Sequence, residues 1–329
     1  MKIGVHDLLP IMEGQTVQER YDLTIDFVKE MDKIGVDRYW ASEHHGMPTV
    51  ASSTPEILLA YLAGITDNIR LGTGGTMILN YSPLKVAEVF KMLTSLAPDR
   101  IDLGIGRAPG GSNLDILALS QGKSVDFDNL YEKAQVILDY LVDKTPEGIY
   151  GRTQAVPAHT ETVAEPWMLG SSGQSAIKTA EMGLGYSFAK FFGVETDEAV
   201  FKAYKDRFVP SEFFQEPKVM VSYNIVVADS QEEADYHAKP VEYSMANHNQ
   251  VQIMDPENIK DSPFSSSVQS AVDHSYEKRF MIKGTPEKVE RILSEEIETY
   301  GIDEIMAYSP IFDPQARIDS YKLLNGIFK

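Results

Sequence analysis

The sequence contains no cysteine. That absence excludes disulfide staples, iron–sulfur clusters and thiolate zinc sites, and it fits a reducing compartment. Cations are scarce as well: 30 Lys and Arg face 49 Asp and Glu, a formal net charge of −19. Nucleic acid is not an expected partner, because phosphate neutralisation needs clustered Lys and Arg. No window approaches about 18 uninterrupted apolar residues, so no membrane span is expected. The opening run from Met1 to His6 has one Lys and no apolar stretch of secretory length, which predicts a cytoplasmic protein. A GxGxxG after the first apolar run and a GK[ST] phosphate loop are both missing. No internal repeat and no linker-like composition divides the chain, so residues 1–329 are expected to form one domain.

What is present is ordinary globular usage, with 43% hydrophobic and 24% charged residues. It rules out a disordered chain, a coiled coil and a collagen-like fibre. Short apolar runs at 3–9, 37–43, 68–74, 100–106, 165–170, 184–189, 218–228 and 302–308 alternate with stretches of helical period. Eight strands, each followed by a helix, predict an α/β fold of the (β/α)8 TIM-barrel type. An open doubly wound sheet is the rival, since closure leaves no mark in a sequence. After the third strand, Val86, Val89, Phe90, Leu93 and Leu96 fall on one helical face. Thr54-Pro55, Ser82-Pro83, Thr285-Pro286 and Asp313-Pro314 each place a capping oxygen before a proline, the signature of a helix start. A barrel core takes roughly 250 residues. The surplus has three candidate homes: polar stretches at 107–124, 144–163 and 247–277.

Barrel enzymes carry their chemistry at the C-terminal ends of the strands. Reading those ends gives His6-Asp7, Glu43-His44-His45, Gly74-Gly75, Arg107, the run Ser171-Ser172-Gly173-Gln174-Ser175, and Lys190. Adjacent histidines on a strand point to opposite faces and cannot easily share a metal ion, so no metal site is expected. A single inward histidine near neutral pKa can donate or accept a proton, or can serve as a hydrogen-bonded core residue. The glycines of Arg70-Leu71-Gly72-Thr73-Gly74-Gly75-Thr76 admit either a flat ligand against bare backbone or a simple turn. Small residues from Leu169 to Ala176 at a helix start let backbone N–H groups converge on an anion, or merely cap the helix. Arg107, one strand back, can pair with the same phosphate or lie on the surface. Met168, Met220 and Met306 read as core filler, and His237, His248 and His274 as exposed.

Together these segments resemble the bacterial luciferase-like flavin-dependent monooxygenases. The matching wording is WASEHHGMPTVASSTPEILLAYLAGITDNIRLGTGGTMI, PLKVAEVFKMLTSLAPDRIDLGIGRAPGG, WMLGSSGQSA and GTPEKV…YGIDEIMAYSPI, in family order over nearly the whole chain. The resemblance implies a barrel that binds reduced FMN in its mouth and oxygenates a small organic substrate through a flavin C4a-peroxide. By motif, His44 matches the histidine beside the reactive flavin edge. Thr73, Gly74 and Gly75 match the segment with a non-prolyl cis peptide against which the ring lies. Arg107, Ser171, Ser172, Gly173, Gln174 and Ser175 match the phosphate-binding set, although the luciferases carry an acidic residue where Ser171 stands. His6, Asp7, Asn80 and Tyr81 are candidate pocket liners, and 247–277 falls where the family has a mobile lid. O2, a separate NAD(P)H:flavin reductase and a second copy of the chain are the implied partners. Two alternatives stay open: a flavin-binding protein or subunit without catalysis, and a deazaflavin (F420)-dependent dehydrogenase, whose polyanionic cofactor suits so acidic a chain less well.

Overall fold

The computed structural model describes residues 1–107, 110–195, 197–247 and 252–329. Nine strands form one parallel sheet: β1 (Lys2–Asp7), β2 (Arg38–Ala41), β3 (Arg70–Thr73), β4 (Ile101–Ile105), β5 (Glu165–Gly170), β6 (Gly185–Ala189), β7 (Val219–Val227), β8 (Met281–Gly284) and β9 (Glu304–Tyr308). β1 pairs with both β2 and β9, while β7 pairs with both β6 and β9. β1 to β7 and β9 therefore close on themselves, and the fold is the expected (β/α)8 barrel rather than an open sheet.

β8 stands outside that ring. It pairs with Asn224–Val227 at the far end of β7, beyond the last β6 partner at Ser222. Lys218 and Asn224 direct backbone groups toward β6 and β8, whereas Val219 serves β9. A strand of nine residues beside one of five leaves backbone groups exposed along one side, and β8 satisfies them. MIKG lies outside the eight apolar runs of the sequence, and its pairing depends on the free end of β7.

The helices are α1 (Val17–Ile34), α2 (Pro55–Ala63), α3 (Pro83–Leu96), α4 (Asn113–Leu119), α5 (Leu130–Leu141), α6 (Gly173–Glu181), α7 (Glu198–Asp206), α8 (Gln231–Ala246), α9 (Pro256–Ile259), α10 (Ser266–Glu277), α11 (Pro286–Tyr300) and α12 (Pro314–Ile327). α11 packs against α7 and α12, so it is the barrel helix between β7 and β9. α8, α9, α10 and β8 are then one excursion, longer than the expected 247–277 and helical rather than irregular. Among the other surplus stretches, 107–124 contains α4, and 144–163 contains a 3-10 turn at Gly148–Arg152 and a cis Val156–Pro157 bond.

All four proline-marked helix starts are found, yet only Asp313 caps with its side chain, accepting from the Ala316 N–H at 2.7 Å. Thr54, Ser82 and Thr285 make no such bond. Proline at the first helical position needs no donor partner and fixes φ by itself. On α3, Val86, Phe90 and Leu93 are buried, while Leu96 at the end of the expected stripe is 61% exposed.

Inside the barrel, Trp40 and Trp167 pack edge to face with Met220 and Met306 around them. Glycine makes room for both rings. A Cβ on Gly72 would lie 2.5 Å from Trp40 Nε1, and one on Gly185 2.4 Å from Trp167 Cε3. The N-terminal end of the barrel is closed by charge: Arg38 donates to Asp102 at 2.7 Å and to Glu304 at 3.0 Å, and Trp40 Nε1 donates to Asp102 at 2.8 Å. Burial alone would lower the Arg38 pKa, but Asp102, Glu304 and Glu165 raise it above the ordinary value.

Candidate active site

At the opposite end, a cavity of about 450 Å³ opens among the loops that follow the strands. That volume lies within the roughly 300–1,000 Å³ of small-molecule and cofactor sites. One wall is bare backbone, formed by Gly74, Gly75, Gly106 and Gly110. The Gly74–Gly75 peptide is cis. A Cβ at Gly75 would stand 2.9 Å from the Gly104 carbonyl oxygen, so no side chain fits there. Met77, Leu130, Tyr131, Met168 and Leu169 supply an apolar lining.

The far wall is the start of α6, where Ser171, Ser172 and Ser175 line the cavity together with Gly170. Ser172 is the N-cap and accepts from the Ser175 N–H at 3.3 Å, while the Ser175 hydroxyl donates to the Ser172 carbonyl at 2.7 Å. The positive end of the helix dipole thus faces the cavity. Arg107 lines it too. Burial raises the pKa of the Tyr131 hydroxyl, and the positive charges of Arg107 and Lys178 oppose that rise. Thr73, Gly173 and Gln174 are not on the cavity wall. Thr73 is buried and braces β4, donating to the Gly104 carbonyl and accepting from the Gly104 N–H, both at 3.2 Å.

His44 lines the cavity from beyond the end of β2. The expected strand through residue 43 stops at Ala41, so Glu43, His44 and His45 lie on a loop and do not alternate as strand residues would. Their roles separate by hydrogen bonding. Glu43 accepts from Tyr81 at 2.6 Å, from the Met77 N–H at 2.9 Å and from His45 Nε2 at 2.8 Å. Among the described residues His44 is tied through its backbone, its N–H donating to the Ser52 carbonyl at 2.8 Å. Its Nδ1 is buried and has no hydrogen-bond partner among the described residues. Burial and the neighbouring His45 lower its pKa to about 4, so the ring is neutral at physiological pH.

The four candidate pocket liners lie elsewhere. His6 sits beneath the glycine wall: its Nε2 is 2.8 Å from the Gly74 carbonyl and 2.9 Å from Ser42 Oγ. A carbonyl only accepts, so Nε2 carries the proton and Nδ1 faces Ser222 Oγ at 3.4 Å as acceptor. Burial lowers the His6 pKa to about 4, despite Gly74 and Asp7. Asp7, its strand neighbour, points the other way and is paired with Arg317 at 2.9 Å. Tyr81 is engaged by Glu43, and Asn80 belongs to the 3-10 turn Ile78–Asn80 behind it. Lys190 is also turned away, in a buried ion pair with Glu296.

Sequence reasoning missed Ser42, Phe127, Leu130, Tyr131 and Phe192 on the cavity wall. The signal available in the sequence is the aromatic pair Phe191-Phe192 just past the apolar run 184–189; the structure leaves Phe192 56% exposed. His237 is half-buried and His274 exposed; His248, Ala108 and Pro109 lie outside the described residues. Among the described residues no group of three or more His, Asp or Glu is placed to hold a metal ion, and no helix is long and apolar enough to cross a membrane.

The fold and site together define a closed parallel α/β barrel with a glycine-walled cavity and a serine-capped helix start at its mouth. The family model for luciferase-like monooxygenases matches residues 1–304, and the chain belongs to that family. A luciferase-like monooxygenase of Escherichia coli K12 is 34% identical over 320 residues, covering 96% of this chain and 94% of that protein. The crystal structure of apo-MsnO8 superposes with a TM-score of 0.89 at 30% identity, covering 99% of this chain and 98% of the other. The oxygenating constituent of 3,6-diketocamphane monooxygenase from Pseudomonas putida, a type II Baeyer–Villiger monooxygenase solved with FMN, shares the fold at a TM-score of 0.75 and 17% identity, covering 99% and 97%.

Proposed function

We propose that this luciferase-like oxidoreductase is an FMN-dependent monooxygenase that takes up reduced FMN and O2 and oxidises a small organic substrate. The observation that carries the reading is the unpaired, buried Nδ1 of a neutral His44 on the wall of a glycine-backed, serine-capped cavity. The residues fit FMN: Gly74 and Gly75 leave the backbone bare for a flat ring, and Arg107 with Ser171, Ser172 and Ser175 offers an anion-binding end. Bound reduced FMN supplies the electrons that activate O2, chemistry no side chain here can supply. The protein positions the ring, keeps water away with its apolar lining, and offers His44 as a neutral proton donor or acceptor. His6 and Ser42 hold the glycine wall through the Gly74 carbonyl.

The source of reduced flavin is a separate reductase, and the protein pairs with a second copy through α2 and α3, where Ile57, Tyr61, Met92 and Leu96 are each more than half exposed. Of the expected lid stretch 247–277, α10 packs against α8, and Gln252 and Ile253 reach the loop after β1, Gln252 donating to the Ile11 carbonyl and Ile253 accepting from the Glu13 N–H. The test is His44→Ala. FMN quenching is expected to be unchanged, while the reaction of the reduced-flavin-loaded protein with O2, followed by the return of oxidised-flavin absorbance, changes by about 10²-fold or more. An unchanged trace removes His44 from the mechanism. O2 kinetics identical to those of free flavin favour a binding protein without catalysis, and tighter binding of F420 than of FMN overturns the cofactor assignment.

A further inference from the structure

A second, smaller cavity of about 190 Å³ adjoins the first and shares two of its residues, His44 and Phe192. Its walls come from five separate parts of the chain: Leu8 and Ile11 after β1, Thr49 and Val50 in the loop after β2, Phe192 after β6, Ile253 of the β7–β9 excursion, and Tyr308 closing β9. Among the described lining residues none carries a charged side chain. The polar groups are Thr49, Ser244, Gln252 and Tyr308, all uncharged. Gln252 is already used, donating to the Ile11 carbonyl at 3.1 Å. Among the described lining residues His44 is the one imidazole, and burial keeps it neutral. For scale, an apolar cavity of roughly 150 Å³ takes benzene.

We propose that this second cavity is the organic-substrate site and that it selects an uncharged, largely apolar molecule about the size of one substituted ring. The proposal rests on the flavin reading of the neighbouring cavity, because the shared His44 is what brings substrate and ring together. Three observations converge on neutrality. A carboxylate or sulfonate entering here finds no Arg or Lys among the described lining residues, and an unpaired charge in an apolar site is strongly disfavoured. A protein of net charge −19 repels anions before they arrive. The one arginine of the two cavities, Arg107, lines the other. Phe192 is the common wall, so its ring sets how far a substrate extends toward the flavin.

Binding to the full-length chain tests this without turnover. Benzyl alcohol and benzoate, matched in size and differing in charge, are titrated near neutral pH by ligand-observed NMR, with and without saturating FMN. Benzyl alcohol is expected to bind about tenfold tighter than benzoate or better, and to remain bound when FMN is present. Val50→Phe, which fills the cavity, is expected to weaken benzyl alcohol about tenfold while FMN quenching stays unchanged. Should that variant fail to fold, Thr49→Lys at a half-buried position carries the test: benzoate affinity rises about fivefold or more. Benzoate binding as well as benzyl alcohol, displacement of benzyl alcohol by FMN, or indifference of both ligands to both variants overturns the proposal. If FMN fails to bind while the alcohol results hold, the flavin reading falls and the selectivity of the cavity stands. If FMN binds and benzyl alcohol does not, the reverse is true.

Discussion

At the scale of single residues, strand alternation gives sequence neighbours different work: His6 turns inward beneath Gly74, and Asp7 turns outward to Arg317. The pair was legible as a strand end, but its division of labour depends on which face closes inward. His6 and His44 share a further property, a pKa lowered from 6.5 to about 4 by burial. The unfolded rings take up protons that the folded rings refuse, so stability falls as pH drops from 6.5 toward 4. Each histidine is expected to remove roughly 2 kcal/mol between about pH 7 and pH 5. Urea unfolding at the two pH values measures the loss, and His6→Gln is expected to shrink it. A loss undiminished in that variant removes His6 as the cause. By the same titration, turnover between pH 6 and 8 is not expected to follow His44.

At the scale of elements, the start of α6 combines a cap with a cavity wall. Ser172→Ala removes the side-chain acceptor for the Ser175 N–H and is expected to cost about 1 kcal/mol of stability. If this helix start receives phosphate, FMN affinity falls in Arg107→Ala while riboflavin affinity does not. Parallel fluorescence titrations decide, and an equal loss of both ligands argues against a phosphate role. Gly185→Ala brings a Cβ within 2.4 Å of the Trp167 ring and is expected to destabilise by about 1–3 kcal/mol, read as a lowered thermal midpoint. The serines and glycines stood out in the sequence because small residues cluster there. β8 did not: its reason for existing is the unpaired side of β7, a matter of how far β6 extends.

For the whole molecule, the barrel floor is the strongest electrostatic commitment. Arg38 is buried between Asp102 and Glu304, with Glu165 nearby. Arg38→Met leaves buried carboxylates without their cation and is expected to cost about 3–5 kcal/mol, measured by chemical unfolding. A loss below about 1 kcal/mol would mean that Arg70, which also reaches Asp102 at 2.8 Å, compensates. If the exposed apolar side chains on α2 and α3 hold two copies together, as proposed, Ile57→Asp with Leu96→Asp shifts sedimentation from dimer to monomer without altering the secondary-structure spectrum, and a wild-type chain that sediments as a monomer overturns the pairing.

The amino-acid sequence by itself determined the class of the protein. Its alternation of apolar runs with helical period specifies β and α units in order, and its clusters of Gly, Ser and Arg mark where a flat anionic ligand could rest. These are local properties, written in composition and spacing. Closure of the ring, the extra strand on β7 and the burial that neutralises His6 and His44 were decided only by the tertiary structure. So was the second cavity, whose walls come from loops distant in the chain. Each depends on which residues meet across the barrel, and that is a relation between segments rather than a property of any one of them.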